Sequence, residues 1–351
     1  MNELYKRLLD EVSDEHTKVK EQSLNSKVLL VDGLNTFIRA WTVNPTMDDN
    51  GDHIGGITGF LKSIGYAIRE YKATRCIIVF DGKGGSDSRK KIFSGYKADR
   101  GSNRFRVNRQ YEDMMSKEDE SVSMKRQMIG LIELLEYLPV DIMLFDNIEA
   151  DDVIGYIASQ LVTEDDGAIV MSSDKDFLQL VKSNVEVYSP SKKKLYTEQK
   201  VVEEFGIHPN NFMVYRCLDG DTSDNINGIS GCGLKTIIKR FPEVVESQRV
   251  EFDKLYELCE ERGAGKGPKI YKDILDGKPI VERNFRLMQL ENPEISSNTR
   301  IKINAKYQEN VSKLDKLSFI KKAMSMKVID ALGDVNSWVV KTFGTISKYS
   351  K

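Results

Sequence analysis

The sequence predicts an α/β fold built around a parallel β-sheet, and three observations lead to this prediction. From residue 27 onward, short runs of Val, Ile and Leu alternate with longer segments of helical periodicity, as in sheets whose parallel strands are joined by helices. Several runs end at or just before an acidic residue, such as Asp32, Asp81 and Asp174, and ligands of such folds bind beyond the carboxyl ends of the strands. With 351 residues, 40% of them apolar, the chain can bury a core.

The individual elements follow from these patterns. Strands are predicted at residues 28–31, 76–80, 140–144, 168–171 and 185–188. Helices are predicted at residues 57–72, 123–137, 151–161 and 175–181. The segment between the second strand and the second helix is too long for an ordinary connection, and loops of this size are usually functional or mobile.

Three regions are expected along the chain. Residues 1–26 are polar and are predicted to form an N-terminal extension ahead of the first strand. Residues 27–190 are predicted to form the α/β core, with the long excursion at about 82–125. Past residue 190 the pattern becomes helical and less apolar, so residues 191–351 are predicted to form a C-terminal helical domain.

Composition and charge narrow the class of protein. Charged residues make up 30% of the chain, and the formal net charge is −2, which fits a soluble globular protein. The four cysteines show no CxxC spacing and are expected to be reduced thiols rather than zinc ligands or disulfides. Because the N-terminus has no apolar signal core and no run approaches a membrane span, the predicted location is the cytoplasm, without membrane contact.

Acidic residues follow four predicted strands and recur in a later loop. A single Asp after a strand is usually a helix cap, but capping does not require acids at so many strand ends. If these carboxylates converge, their repulsion would destabilise the fold unless hard cations such as Mg²⁺ or Mn²⁺ lie among them. Two such ions beside a basic segment predict a metal-dependent nuclease. The nine candidate ligands are Asp32, Asp81, Glu149, Asp151, Asp152, Asp174, Asp176, Asp221 and Asp224.

A basic segment follows the second strand. Between Asp81 and Arg109 there are nine Lys or Arg residues and three Asp residues. A charge run is usually a solvated helix or loop face, but here aromatic residues alternate with it and could stack on bases. Contact with the phosphates of a polyanion is therefore predicted for this group. Its named members are Arg89, Lys90, Tyr96, Lys97 and Arg100.

A glycine-rich stretch lies directly after the last acidic pair. Closely spaced glycines between two helices can present backbone N–H groups at a helix N-terminus, which bind phosphate without reading sequence. The alternative is an ordinary tight turn with a glycine cap. The position beside Asp221 and Asp224 favours nucleic-acid binding. The residues assigned to it are Gly228, Ile229, Gly231, Gly233 and Lys235.

Taken in order, seven motifs between residue 27 and about residue 241 resemble those of the 5′-nuclease or flap-endonuclease superfamily. They are Val31-Asp32-Gly33-x-Asn35, Phe80-Asp81-Gly82, Tyr96-Lys97-x-x-Arg100, Glu149-Ala150-Asp151-Asp152, Ser173-Asp174-x-Asp176-Phe177, Gly220-Asp221-x-Ser223-Asp224-Asn225 and Gly228-Ile229-x-Gly231-x-Gly233. The N-terminal extension, the Tyr188-Ser189-Pro190 turn before the lysines and the long C-terminal region are most similar to the T-even phage ribonuclease H branch.

The resemblance implies a Rossmann-like 5′-nuclease core, related to PIN and flap-endonuclease folds. It also implies a helical arch at about 82–125 and a helix–three-turn–helix element at about 212–245 that binds duplex DNA, with K⁺ as an additional ligand. The first of two Mg²⁺ or Mn²⁺ ions would be served by Asp32, Asp81, Glu149, Asp151, Asp152 and Asp174, and the second by Asp176, Asp221 and Asp224. Lys97 and Arg100 would be the catalytic cations that neutralise charge on the scissile phosphate.

The predicted function is a 5′→3′ exonuclease and flap endonuclease that removes RNA primers and 5′ flaps during DNA replication. Its expected partners are DNA and RNA/DNA duplexes with a flap, nick or primer end, and a single-strand-binding protein or sliding clamp. The protein is expected to be a monomer, in the host cytoplasm if phage-encoded. Two alternatives stay open: a PIN-type ribonuclease on the same core, and a non-catalytic module that binds DNA junctions.

Overall fold

In the computed structural model, which describes residues 23–98 and 117–350, six strands form the main sheet. They are β1 (Lys27–Asp32), β2 (Arg75–Asp81), β3 (Asp141–Phe145), β4 (Gly167–Met171), β5 (Val185–Ser189) and β6 (Lys194–Tyr196). Their order across the sheet is β3-β2-β1-β4-β5-β6, and only β6 is antiparallel to its neighbour. Two further strands, β7 (Gly220–Asp221) and β8 (Ile226–Asn227), pair as a short ribbon.

The strand register places the acidic residues at one edge of the sheet. Asp32 ends β1 opposite Val79 of β2, and Asp81 ends β2 opposite Phe145 of β3. On the other side of β1, Val31 pairs with Met171, the last residue of β4. The carboxyl ends of β1, β2 and β4 therefore meet, as the sequence predicts. Each of the five predicted strands lies within one residue of the observed bounds.

Helices surround the sheet, and the predicted ones are present. Those before β6 are α1 (Gly33–Val43), α2 (Gly55–Glu70), α3 (Asp87–Ile92), α4 (Lys117–Leu135) and α5 (Ala150–Tyr156), which continues as a π-helical turn to Leu161. A 3₁₀ helix, Lys175–Leu180, follows β4. Those after β6 are α6 (Glu198–Phe205), α7 (Pro209–Asp219), α8 (Leu234–Arg240), α9 (Phe252–Gly263), α10 (Lys269–Asp276), α11 (Lys278–Met288), α12 (Ser297–Gln308), α13 (Lys316–Ser325), α14 (Ile329–Leu332) and α15 (Val335–Ser347).

Two hydrophobic clusters lie on opposite faces of the sheet, because successive strand residues point to opposite sides. Val28 and Leu30 join one cluster with residues of α5, α7 and the helices α9 to α12. Leu29 and Val31 join the other with α1, α2 and α4, and Phe343 of α15 belongs to this second cluster too. The chain after residue 190 thus packs on both faces of the sheet, so the predicted domain boundary does not coincide with a break in packing.

Arg75 connects the amino edge of the sheet to helix α12. Its guanidinium is fully buried and donates to Asp141 Oδ2 at 2.7 Å, to Tyr307 O at 2.5 Å and to Asn25 Oδ1 at 3.0 Å. Carbonyls at a helix C-terminus lack partners within the helix, and Arg75 supplies one to Tyr307. This ion pair lies at the edge of the sheet opposite the acidic residues.

The predicted arch is described at its two ends. Helix α3 and the turn that follows form one end, and α4 forms the other. Arg100 and the remaining middle of the arch lie outside the described residues, as does most of the predicted N-terminal extension. Across the part of the chain that the structure describes, we find no helix with the length and apolarity that a membrane span requires.

Candidate metal and nucleic-acid site

A cavity of about 880 Å³ opens at the carboxyl edge of the sheet. Five of the nine predicted ligands line it: Asp32, Asp81, Asp151, Asp174 and Asp221. Lys97 lies at the same cavity, and residues of α1, including Leu34 and Ile38, form an apolar wall beside the carboxylates. Acids that are far apart in the chain thus face one space, together with the basic side chains of Arg39, Lys97 and Lys175.

Four of the five cavity aspartates also cap helices, and one of them, Asp221, caps the 3₁₀ turn Thr222–Asp224. Asp32 Oδ1 accepts from Asn35 N at 3.1 Å at the start of α1. Asp81 Oδ1 accepts from Ala150 N at 2.7 Å at the start of α5, and Asp174 Oδ1 accepts from Asp176 N at 2.8 Å. Each cap uses one carboxylate oxygen, so capping and ligand binding are compatible at these positions. The caps fix where the carboxylates point.

Burial and mutual repulsion disfavour ionisation in this cavity. Burial raises the pKa of Asp32 to about 7, although Asn35 and Ser172 donate hydrogen bonds to its carboxylate and oppose this rise. The pKa of Asp151 is raised well above its usual value, first by burial and then by the charge of Asp32. The pKa of Asp174 is raised by burial and by the nearby Asp221. A cation among these groups would relieve the repulsion.

Arg89 holds the Glu149 and Asp152 side chains. Its Nη1 donates to Glu149 Oε2 at 2.9 Å and to Asp152 Oδ2 at 2.7 Å, and its Nη2 donates to Asp152 Oδ1 at 2.8 Å. Its Nε donates to Leu287 O at 2.7 Å. The two acids do face one side of α5, as their spacing predicts. Asp152, however, points at Arg89, and Asp151 is the residue of this motif that lines the cavity.

Arg89 and Tyr96 do not have the exposure that DNA contact requires. Four of the five N–H groups of Arg89 donate within the protein, and only 8% of the residue is exposed. Tyr96 is 3% exposed, and its hydroxyl donates to Glu149 Oε2 at 2.9 Å. The prediction that they bind DNA is therefore at odds with the structure. Both residues position Glu149, because a buried carboxylate needs such partners.

Lys97 completes the environment of Glu149. Its Nζ donates to Glu149 Oε1 at 2.7 Å and lies 4.8 Å from the centre of the Tyr96 ring. Burial alone would raise the pKa of Glu149, but the charges of Arg89 and Lys97 outweigh burial and lower it. Glu149 is therefore an ionised anchor for Lys97 at the mouth of the cavity.

Arg216 of α7, which is not among the predicted site residues, holds Asp176 and Asp221. Its Nε donates to Asp176 Oδ1 at 2.5 Å, its Nη2 to Asp221 Oδ2 at 2.6 Å, and its Nη1 to Gly220 O at 3.0 Å. Asp221 also accepts from Ser223 N at 2.7 Å. The signal in the sequence is one basic residue among apolar neighbours on a helix that ends at an acidic loop.

The donors of the site fit a hard divalent cation in their chemistry. The cavity presents carboxylate oxygens, without sulfur or imidazole ligands among the residues that line it, and such sets favour Mg²⁺ or Mn²⁺. In the described parts of the chain, no three His, Cys, Asp or Glu side chains already surround one point at ligand distances. The carboxylates thus share a cavity but do not form a closed coordination shell.

The glycine-rich stretch forms a turn between α7 and α8, and its residues divide into two groups. Gly228 and Ile229 are internal: a Cβ at Gly228 would lie 2.3 Å from Asp219 O, and Ile229 N donates to Leu218 O at 2.7 Å. Because Ile229 is also 8% exposed, its predicted DNA contact is at odds with the structure. Gly231, with φ +83°, and Lys235 are exposed.

Gly233 is the N-cap residue of α8, so the turn leads directly into a helix N-terminus. Lys90, the remaining predicted DNA contact, is exposed on α3. The surface candidates for phosphate contact are therefore Lys90, Gly231, Gly233 and Lys235. Gly220, which ends α7 with φ +79°, lies before this stretch, at the start of β7.

Without divalent cations, we expect the stability of the protein to fall as the pH rises from about 4 to about 7. Asp32 has a pKa of about 7 in the folded state against 3.8 as its ordinary value, so the folded state binds a proton more tightly. The contribution of Asp32 to the free energy of unfolding is fully present below pH 4 and is lost as the pH rises through 7. This loss is on the order of 4 kcal/mol at most. Urea unfolding in EDTA at pH 5 and pH 8 measures it. In Asp32→Asn, the free energy of unfolding should change less between pH 5 and pH 8 than in wild type. An equal change in both proteins would contradict the prediction.

The chain is similar to 5′-3′ exonucleases both in a family model and in individual relatives. The chain matches the model of the 5′-3′ exonuclease N-terminal resolvase-like domain over residues 27–206, just over half of its 351 residues. The 5′-3′ exonuclease of Bacillus subtilis is 30% identical over 261 residues, covering 72% of this chain and 80% of that protein. That of Buchnera aphidicola from Schizaphis graminum is 30% identical over 222 residues, 62% of this chain and 71% of that protein.

The chain is also similar to part of a longer DNA polymerase and to solved phage nuclease structures. DNA polymerase I of Thermus aquaticus is 31% identical over 218 residues, covering 62% of this chain but 24% of the polymerase. The flap endonuclease of bacteriophage T5, solved in a complex with DNA and metal ions, aligns with a TM-score of 0.61 and 21% identity, over 86% of this chain and 99% of the phage chain. The T5 5′-exonuclease with zinc ions aligns with a TM-score of 0.58 and 19% identity, over 86% and 99%. These likenesses confirm the predicted fold class.

Proposed function

Because the chain belongs to the 5′-3′ exonuclease family, we propose that it is a 5′→3′ exonuclease and flap endonuclease that removes RNA primers and 5′ flaps during DNA replication. The observation that carries the proposal is the cavity at the carboxyl edge of the sheet, where five aspartates face Lys97. The curated relatives named above as 5′-3′ exonucleases, and the phage flap endonuclease solved with DNA, support the same activity.

The site residues divide between two divalent ions, Mg²⁺ or Mn²⁺. Asp32, Asp81, Asp151 and Asp174 would hold one of them, with Glu149 and Asp152 behind this group. Asp176, Asp221 and Asp224 would hold the other. When bound, such ions activate water and stabilise the attacking and leaving oxygens of a phosphodiester. The buried arginines Arg89 and Arg216 hold their acids in place before an ion arrives, and their charges help to lower the pKa of Glu149 and of Asp221.

Lys97 is the side chain that would meet the scissile phosphate. Its ammonium is held by Glu149 at the cavity mouth, so it can donate to a phosphate oxygen without reorganising at the moment of reaction. Arg100, three residues further on, is proposed to assist it from the arch.

Substrate contacts outside the cavity are proposed at Lys90, Gly231, Gly233 and Lys235. Backbone N–H groups and lysines bind phosphates, so substrates would be selected by the shape of the junction and hardly by base sequence. We also propose K⁺ at the turn before α8, a monomeric enzyme in the cytoplasm, and recruitment by a single-strand-binding protein or sliding clamp.

The proposed activity is tested with labelled nicked, gapped, flapped and RNA-primed duplexes, each incubated with and without Mg²⁺. Cleavage from the 5′ end that needs Mg²⁺ and a duplex supports the proposal. Binding of all four substrates without any cleavage would instead identify a DNA-junction binding module. The ranking of the four substrates gives the preference between RNA and DNA ends and between exonuclease and flap cleavage.

For Lys97→Ala, we expect a large loss in the rate of chemistry and a small loss in binding. Removing an interaction that strengthens only in the transition state lowers kcat. We expect the activation free energy of cleavage to rise by roughly 2–4 kcal/mol, by analogy with the loss of an oxyanion donor. Single-turnover rates at saturating enzyme and two salt concentrations measure it. Lys90→Ala is the matched control: its loss should appear in KM and shrink as salt rises. An unchanged single-turnover rate for Lys97→Ala would exclude a role in chemistry.

For Gly231→Val, we expect weaker binding of duplex-containing substrates and a smaller effect on short single strands. A side chain at Gly231 would block close approach of the backbone to DNA and would also be strained at φ +83°. Gly333→Val isolates the strain, because Gly333 has φ +74° and open space around it, far along the chain in the connection before α15. If Gly231→Val and Gly333→Val weakened duplex binding equally, the turn would have no specific role in binding duplex. The same would hold if Gly231→Val weakened binding of duplex and of single strands equally.

A further inference from the structure

The turn that carries Lys97 is bonded directly to the acidic loop between β7 and β8. Lys97 N donates to Asp224 O at 2.9 Å, and Asn225 Nδ2 donates to Gly95 O at 2.9 Å. These two bonds connect segments that are about 130 residues apart in the chain. Gly95 O also accepts from Ala98 N at 3.1 Å, which closes the turn around Lys97. The Asn225 side chain thus binds the carbonyl that defines this turn.

Both partners have unusual backbone conformations. Lys97 has φ +55° and Asn225 has φ +59°, a left-handed region that residues other than glycine seldom occupy. Asn tolerates it better than most residues, whereas Lys has no such preference. Residues held in sparsely populated conformations persist only where the surroundings fix them. At Lys97 the surroundings that fix the backbone include the bond to Asp224 O and the turn held by Asn225.

Close packing restricts this contact further. A Cβ added at Gly95 would lie 2.7 Å from the Phe93 ring and 3.2 Å from Asn225 Nδ2. The ring of Phe93 is covered on another side by the Arg283 guanidinium, 4.5 Å from its centre, and Arg283 donates to Asn227 O in β8 at 3.0 Å. The turn and the ribbon therefore meet through a packed contact as well as through hydrogen bonds.

We propose that Asn225 is a positioning residue for Lys97, which sets the ammonium at the cavity mouth through the Gly95 carbonyl. The inference rests on the proposed function, in which Lys97 acts on the scissile phosphate. The ammonium of Lys97 is held by Glu149, and the backbone N–H of Lys97 is held by Asp224 O in the loop between β7 and β8. Without the Asn225 amide, the turn can relax toward the common right-handed conformation, and the ammonium moves away from its place.

Asn225→Gly is the informative variant, because glycine readily adopts the left-handed backbone and removes the side chain whose amide binds Gly95 O. We expect a loss in single-turnover cleavage of a 5′-flap duplex of about 10- to 100-fold, since a displacement of about 1 Å can cost that much. Binding of the flap in Ca²⁺ should stay within about twofold of wild type, because Asn225 is not placed on a phosphate. Lys72→Gly is the matched control: Lys72 also has φ +51°, but it lies in the connection between α2 and β2.

Two further measurements separate positioning from general damage. In the Lys97→Ala background, Asn225→Gly should produce little additional loss, because a residue that acts through Lys97 has nothing left to position. Without metal or substrate, lysine-directed reductive methylation read by mass spectrometry should label Lys97 faster in Asn225→Gly than in wild type.

The possible outcomes are distinct. Multiplicative losses in the double variant, or an Asn225→Gly rate equal to wild type while Lys97→Ala is slow, would overturn the positioning role and leave the proposed function intact. A Lys97→Ala single-turnover rate equal to wild type would instead count against the catalytic part of the proposed function. Unchanged Lys97 labelling in Asn225→Gly would also overturn the inference.

Discussion

Replacing Asp174 by Asn is expected to lower flap cleavage by roughly a thousandfold, about 4 kcal/mol, while junction binding stays nearly intact. Asp174 lies at the end of the loop after β4, lines the cavity, and feels the charges of both Asp221 and Asp224. It is therefore the acid with the best position to serve both proposed ions. Cleavage under single-turnover conditions, and binding measured in Ca²⁺, give the two quantities.

Asp330→Asn controls for the loss of a carboxylate as such, because Asp330 is exposed on α14, outside the cavity. It should cleave at the wild-type rate. Full activity of Asp174→Asn would exclude Asp174 as a ligand. Loss of DNA binding in parallel with cleavage would point to a role in holding the substrate instead of in chemistry.

For Arg216→Met, the second large effect, we expect destabilisation of the metal-free protein by about 3–5 kcal/mol, since a buried pair that loses one partner leaves an uncompensated charge. Here two acids, Asp176 and Asp221, lose the same guanidinium. Mg²⁺ should restore part of the stability, because an ion bound between these acids replaces the missing positive charge and binds only the folded state. Thermal or urea unfolding in EDTA and in Mg²⁺ measures both effects.

Arg75→Met is the matched control for this prediction. Arg75 is equally buried and pairs with Asp141, but it lies at the opposite edge of the sheet. A similar loss of stability is expected, and Mg²⁺ should not restore it. If Mg²⁺ raised the stability of both variants equally, or of neither, its effect would not show that an ion binds beside Arg216.

The strands were predictable because parallel strands buried on both faces are continuous apolar runs. This explains why β1, β2 and β4 were located within one residue, and why Asp32 and Asp81 were expected at one edge. The short antiparallel β6 has no apolar run: it follows a lysine-rich turn in which Lys193 has φ +50°, and the sequence offered no signal for it.

The buried arginines could not be assigned from local sequence. Arg89 stands in a basic run and was predicted to contact DNA, yet its partners Glu149 and Asp152 lie about 60 residues away. Arg216 finds Asp176 40 residues before it. Such pairs depend on how helices pack, which spacing along the chain does not encode. For the same reason the return of α15 onto α2, where Arg69 donates to Thr342 Oγ1, was not expected.

The proposed function requires that the acidic cavity cleaves 5′ ends at duplex junctions with the help of divalent ions. The most direct measurement follows one 5′-labelled strand, free or annealed as a flap on a duplex, with Mg²⁺ or with EDTA. We predict cleavage of the flap near its junction in Mg²⁺, no cleavage in EDTA, and much slower cleavage of the free strand. Equal cleavage of a free RNA strand would favour a PIN-type ribonuclease. Junction cleavage that persists in EDTA would contradict the proposed function.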